Sequence, residues 1–234
     1  MGRTLFGLLS LVCCTLVIQS AVESAGPPDA LPADVQPALE RFLSRPDEPI
    51  TQYRARRTLQ GHNPRFKMDG AIEAITELSA EGRFSYTIVS ETGSDYIREK
   101  VLRPLLETEA KVIASGDPSR SALTIDNYDI GGGELAEPGI VKLFAKPRRK
   151  DLSLIDGAVF VTSADSDLVR VEGTMSKNPS FWTTRVNLVR RYDRIGGVRV
   201  PVRLDSTAQI RLAGTSSLSM IYDYEMINGK ELTQ

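Results

Sequence analysis

Cysteine, histidine and tryptophan are almost missing from this chain: two, one and one in 234 residues. The two cysteines, Cys13 and Cys14, are adjacent in an N-terminal apolar run. The rest of the sequence can therefore form no disulfide, no thiolate metal site and no cysteine nucleophile. A single histidine, His62, cannot assemble a zinc site of the usual kinds, and a Ser-His-Asp arrangement would rest on that one residue. It stands in Gly61-His62-Asn63-Pro64, which reads as a turn, so His62 reads as a solvated turn residue. An excess of one charge is also lacking. Lys plus Arg is 29 and Asp plus Glu is 30, so nothing global selects nucleic acid or an anionic surface. Gly131-Gly132-Gly133 lacks the Gly-Lys-Ser/Thr of a phosphate loop and reads as a flexible connector. Asp126 with Asp129, and Asp165 with Asp167, lack the glycine and distal glutamate of a calcium loop and read as turn residues. No catalytic set, no metal ligands and no cofactor are expected.

A long hydrophobic run occurs only at the start. Met1-Gly2-Arg3 carries one positive charge. An apolar stretch runs from Leu5 through Ile18, and small residues come next at Ser20, Ala21, Ser24 and Ala25. This order is that of a secretory signal peptide over 1–25, with an uncleaved anchor helix as the alternative. Lipidation of Cys13 is disfavoured because the apolar run continues past it. The working domain is thus expected outside the cytoplasm, where ATP-driven chemistry is not. Residues 26–34, rich in Pro and Ala, form a flexible lead-in. Residues 35–234 are numerous enough for a single domain with its own core.

Along that domain, Asp34 and Pro37 open a short helix with Leu39, Phe42 and Leu43 on one edge, closed by Pro46. From Ile50 the period changes to two. Phe84, Tyr86 and Ile88 share one strand face, as do Val198, Val200, Val202 and Leu204, and then Met220, Tyr222, Tyr224 and Met226. Over 94–114, Ile97, Val101, Leu102, Leu105, Leu106, Val112 and Ile113 recur at helical spacing, interrupted by Pro104, which predicts a kink. Short strands separated by Gly or Asp turns predict a mainly β (α+β) fold: a curved antiparallel sheet or incomplete barrel with two to three covering helices. The basic residues Lys142, Lys146, Arg148, Arg149 and Lys150 could touch lipid phosphates, but read more simply as a solvated hairpin tip. Phe181 and Trp182 form an aromatic pair in a loop, as a pocket lip, a contact patch or a plug over the core.

Several stretches carry a resemblance: 168–173, Ser176-Lys177-Asn178-Pro179-Ser180-Phe181-Trp182, Arg190-Arg191-Tyr192 with Ile195-Gly196-Gly197, and 222–229, with Tyr53-Arg54-Ala55 and Gly93-Ser94 upstream. In these the chain resembles the LolA/LolB-like superfamily, which includes outer-membrane lipoprotein-sorting carriers, and most of all a group of secreted bacterial proteins of uncertain function. The resemblance implies an incomplete antiparallel barrel whose mouth is covered by helices, a periplasmic location, and a cavity for acyl chains. The carriers' functional arginine is not assigned to Arg54, Arg56 or Arg57. On this basis Phe84, Tyr86 and Ile88 would line the concave wall, Ile97, Val101 and Leu105 would face it from the helical lid, and Phe181 and Trp182 would complete the ligand-binding set.

Two functions fit these features. In one, a monomeric non-enzymatic carrier holds lipid or lipoprotein acyl chains and meets envelope membrane proteins. In the other, the barrel is filled by its own side chains and serves as an envelope structural or protein-interaction module. A hydrolase built from scattered carboxylates is a distant third. The first two differ in whether space exists under helix 94–114.

Overall fold

The computed structural model describes residues 35–45, 48–115 and 121–232. The expected signal peptide, the lead-in, Asp34 and Pro46 lie outside them. Alternation organises the sheet. In β1 (Tyr53–Asn63) every second residue, from Tyr53 through Ala55, Arg57, Leu59 and Gly61 to Asn63, is buried on one face. The strand extends past Gly61 and His62, so the turn predicted there falls instead at 64–67. β2 (Met68–Leu78) and β3 (Phe84–Gly93) continue it as an antiparallel meander.

Beyond a helical stretch come β4 (Tyr128–Glu137), β5 (Ile140–Pro147), β6 (Ile155–Thr162), β7 (Leu168–Met175), β8 (Thr183–Ile195), β9 (Val198–Ile210), β10 (Gly214–Ile227) and the short β11 (Lys230–Glu231). The strand order is β3-β2-β1-β10-β9-β8-β7-β6-β5-β4, with β11 paired to β10. All of these neighbours pair antiparallel, and the end strands β3 and β4 do not pair with each other. The sheet is therefore curved and unclosed.

The expected glycine connector is part of β4. Gly132 and Gly133 adopt φ of 62° and 145°, and the register shifts between Gly131 and Glu134. A β-carbon on Gly133 would lie 2.4 Å from the Lys142 carbonyl oxygen and 3.0 Å from Val35. The bulge therefore lets the first helix approach the sheet.

Among the described residues two helical segments cover the inner face, the lower of the two numbers expected. α1 (Val35–Ser44) buries Val35, Ala38 and Leu39 against Val141, Leu143, Val159 and Val161 of β5 and β6. The second segment spans 95–114 as α2 (Asp95–Ile97), a π-helical turn (Arg98–Leu102) and α3 (Arg103–Ala114). Pro104 lies at the start of α3. Lacking an N–H, it cannot extend the ordinary ladder backwards, and the backbone widens immediately before it. We call 95–114 the strap.

Candidate functional site

The π-turn decides which strap residues face the sheet. An unbroken α-helix would turn Ile97, Val101 and Leu105 inward, four residues apart. The wide turn inserts one residue, and the fully buried positions are Ile97, Leu102 and Leu106. They pack against Leu59, Ile72, Ala74 and Met220. Val101 and Leu105 border the same cluster, half-buried, with Tyr86 and Ile88. Phe84 packs at the edge of the neighbouring cluster around Tyr53, Val200 and Tyr224. Five of the eight expected ligand residues, Tyr86, Ile88, Ile97, Val101 and Leu105, thus gather where strap and sheet meet, and Phe84 lies in the cluster beside them. Phe181 and Trp182 do not. They project from the β7–β8 loop, 74% and 55% exposed, and contact one another edge-on.

The strap docks closely because two strand positions beneath it are glycine. A β-carbon on Gly61 would come within 2.7 Å of Ile97, and one on Gly70 within 2.8 Å. Gly70→Val is expected to expel Ile97 and to speed backbone hydrogen exchange over 95–102 at least tenfold, with the β8–β9 hairpin unchanged. Exchange measured by mass spectrometry checks this, and equal protection in the variant would contradict it.

Polar groups fasten both ends of the strap. Near its start, Arg98 and Arg103 both reach Glu91 of β3, at 3.1 and 2.8 Å. Near its end, Glu109 takes two hydrogen bonds from Arg57, Nη1 to Oε2 at 2.5 Å and Nη2 to Oε1 at 3.0 Å. Arg57 is 2% exposed. Its Nη2 also donates to the Tyr53 hydroxyl at 2.6 Å, and its guanidinium lies 4.5 Å from the Tyr222 ring centroid and 5.6 Å from that of Phe84. Burial opposes the Arg57 charge, but the Glu109 carboxylate outweighs it and holds the pKa above the ordinary arginine value.

Arg190 of β8 belongs to the same layer. Its Nε has no hydrogen-bond partner among the described residues. Burial opposes its charge too, and Tyr192, Tyr222 and Glu109 sustain it. Two guanidiniums therefore share the field of one strap carboxylate among Tyr53, Tyr192, Tyr222 and Tyr224.

The β1 alternation carries the signal for Arg57. Tyr53, Ala55 and Leu59 are apolar at period two, which turns Arg57 inward and leaves Arg54 and Arg56 on the other face. Those two pair with Glu77, Glu73 and Glu225 at partly exposed positions.

Elsewhere the charged motifs are structural. His62 lies on the outer face of β1 with Nδ1 2.5 Å from Asp69. Asp167 receives two hydrogen bonds from Arg194, Nε to Oδ2 at 2.7 Å and Nη2 to Oδ1 at 2.6 Å, and Arg194 Nη1 donates to the Gly197 carbonyl at 2.6 Å. Lys142 meets Glu134 at 2.8 Å and Arg148 meets Asp129 at 2.5 Å. Two surface hollows also lie on the outer face. One, of about 440 Å³, is bordered by Gln60, His62 and Ser217; the other, of about 610 Å³, by Phe144, Glu172 and Asn187. The space under the strap is occupied by Ile97, Leu102 and Leu106.

No protein-family model matches the chain, and comparison with curated proteins finds no match. Among solved structures the chain is similar to a LolA superfamily protein from Nitrosomonas europaea. The two are 11% identical, with a TM-score of 0.36 over 85% of this chain and 94% of that one.

Proposed function

We propose that this protein binds a lipid acyl chain without catalysis, between the strap and the concave face of the sheet, as a carrier in the periplasm reached through its N-terminal signal segment. The observation that carries this reading is the Arg57–Glu109 pair. A permanently packed core gains little from a buried ion pair, since the desolvation of two charges offsets most of their attraction. Such a pair does suit a contact that is made and released.

Lifting the strap exposes Leu59, Ile72 and Met220 together with Ile97, Leu102 and Leu106. These surfaces accept an acyl chain with a gain of about 0.8 kcal/mol per buried CH₂. Once Glu109 moves away, Arg57 and Arg190 favour an anionic head group, a carboxylate or a phosphate. The same occupied space favours a second reading, the filled barrel as an envelope interaction module, because the strap's own side chains already complete that core.

Native mass spectrometry of the full chain purified without detergent, with lipid extraction, separates the two. A carrier retains a fatty acid or anionic phospholipid, or takes up added oleate. Leu105→Asp, at a half-buried position, abolishes uptake while far-UV circular dichroism is kept. An empty protein that rejects oleate and acylated peptide supports the module.

A further inference from the structure

The turns at one end of the sheet share a chemistry that the strap does not use. Antiparallel pairing brings together the β1–β2 turn (64–67), the β7–β8 loop (176–182) and the β9–β10 turn (211–213). These segments touch. Asn63 Nδ2 donates to the Ala213 carbonyl at 3.2 Å and to Ser216 Oγ at 2.7 Å. The Arg211 amide donates to the Trp182 carbonyl at 2.8 Å, and its guanidinium lies 4.5 Å from the Phe181 ring centroid.

Four large apolar side chains project from them: Phe66, Phe181, Trp182 and Leu212, exposed by 52%, 74%, 55% and 77%. Arg65, Lys67, Lys177 and Arg211 stand exposed among them. None of the three segments contains an aspartate or glutamate. The β5–β6 turn, joined through the hydrogen bond from Ser176 Oγ to the Arg149 carbonyl at 3.4 Å, adds Lys150 beside the buried Asp151, while Arg148 pairs with Asp129 and Arg149 donates to Asn127 Oδ1. At the other end the β2–β3 turn carries Glu81 with Arg83, and the β6–β7 turn carries Asp165 and Asp167. A chain of formal net charge −1 has thus gathered cations and apolar tips at one end.

The backbone supplies a second observation. Leu212 and Lys67 have φ of 65° and 51°, in the left-handed region that glycine or asparagine fills at less cost. At Leu212 an exposed leucine is kept against both its backbone preference and its hydration. Its side chain, 77% exposed, leaves most of its apolar surface uncovered within the molecule.

We infer that this end of the sheet docks on the surface of an anionic lipid bilayer. Phe66, Phe181, Trp182 and Leu212 enter the boundary between head groups and acyl chains, and the flanking arginines and lysines reach the phosphates. Amphipathic aromatic rings favour that boundary, long cationic side chains span it, and anionic lipid attracts each cation. Separate hairpin tips, each pairing an apolar side chain with a base, fit a fluid planar surface better than a shaped protein partner. Docking of this end does not require the strap to open.

Trp182 is the chain's single tryptophan, so its emission reports this end alone. The full chain is titrated with vesicles of phosphatidylglycerol and phosphatidylcholine, and with phosphatidylcholine alone. The expected result is a blue shift and quenching by acyl-brominated lipid on the anionic vesicles, with partitioning weaker by about tenfold or more on the neutral ones. Leu212→Gly is expected to keep or raise the thermal midpoint, because it relieves the backbone, yet to lower partitioning about tenfold. Lys67→Ser and Arg211→Ser are each expected to lower it about fivefold and to reduce its salt dependence. Trp182 emission unchanged at excess vesicle overturns the inference, as does a shift that Leu212→Gly leaves intact, or one that appears only with an acidic protein.

Discussion

Glu109→Ala is expected to cost about 3 kcal/mol of stability, well beyond the ~0.5 kcal/mol of an exposed ion pair. The substitution strands the Arg57 guanidinium, 2% exposed, without its carboxylate. Arg57→Leu alone removes the same pair, but it leaves Glu109 able to turn toward water, since that side chain is 32% exposed. It is therefore expected to cost less than Glu109→Ala. The double replacement by leucine is expected to return to within about 1 kcal/mol of the original protein, because two apolar groups substitute for a pair whose attraction is offset by desolvation. If the pair is a releasable latch, that double variant also exchanges oleate more slowly, having gained a strap with no polar release. Urea unfolding at neutral pH supplies the four corners of the cycle. A Glu109→Ala loss under about 0.5 kcal/mol would mean that Arg57 finds other solvation and that the pair fastens nothing.

Alkali provides a second large effect. Burial lifts the hydroxyl pKa of Tyr53, Tyr222 and Tyr224 above the ordinary value of 10.0. Tyr222 and Tyr224 stack at 6.2 Å between centroids, and Tyr224 donates its hydroxyl hydrogen to the Pro201 carbonyl at 3.0 Å. These groups hold their protons more tightly in the folded state. Their contribution is complete below about pH 10 and is lost as pH rises through the folded values, because only the unfolded chain releases protons there. Each tyrosine removes about 1.4 kcal/mol per pH unit in that window, and the three together about 4 kcal/mol. Stability is thus expected to be insensitive to these groups from about pH 7 to 9 and to collapse within about one to two units above 10. Tyrosinate absorbance near 295 nm should rise with loss of the far-UV signal. Tyr224→Phe should flatten the slope by about a third. Full tyrosinate absorbance in a still-folded protein would contradict the burial of this layer.

Much of the fold is legible in the sequence because alternation at period two is a direct trace of a sheet with one buried face. The strands bearing Phe84, Tyr86 and Ile88, and the run Val198, Val200, Val202 and Leu204, need nothing else. Glycine hides the extents of β1 and β4. Gly61 looks like a turn residue but is small to admit Ile97, and Gly131-Gly132-Gly133 looks like a connector but forms a bulge inside a strand. Helical spacing places the strap's inward residues one position off, because a π-turn set just ahead of Pro104 shifts the phase of every residue after it. Hydrophobic spacing alone accommodates both phases, since Val101 and Leu102, like Leu105 and Leu106, are adjacent apolar residues. Glu109 is one of many charged residues interleaved with the apolar ones over 94–114, and a helix pattern does not reveal that an arginine waits beneath it. Phe181 and Trp182 stand out as an aromatic pair, but a loop's sequence does not say which way it projects.

The releasable strap is tested most directly by hydrogen exchange of the full chain, read by mass spectrometry with and without oleate. Amides over 98–114 are expected to exchange through an opening well below the global unfolding free energy, while β1, β2 and β10 exchange only with global unfolding. Oleate is expected to change protection in the strap and in the strands beneath it. Strap amides protected as fully as β1 and indifferent to oleate would contradict a releasable strap, and would make 95–114 a fixed part of the core.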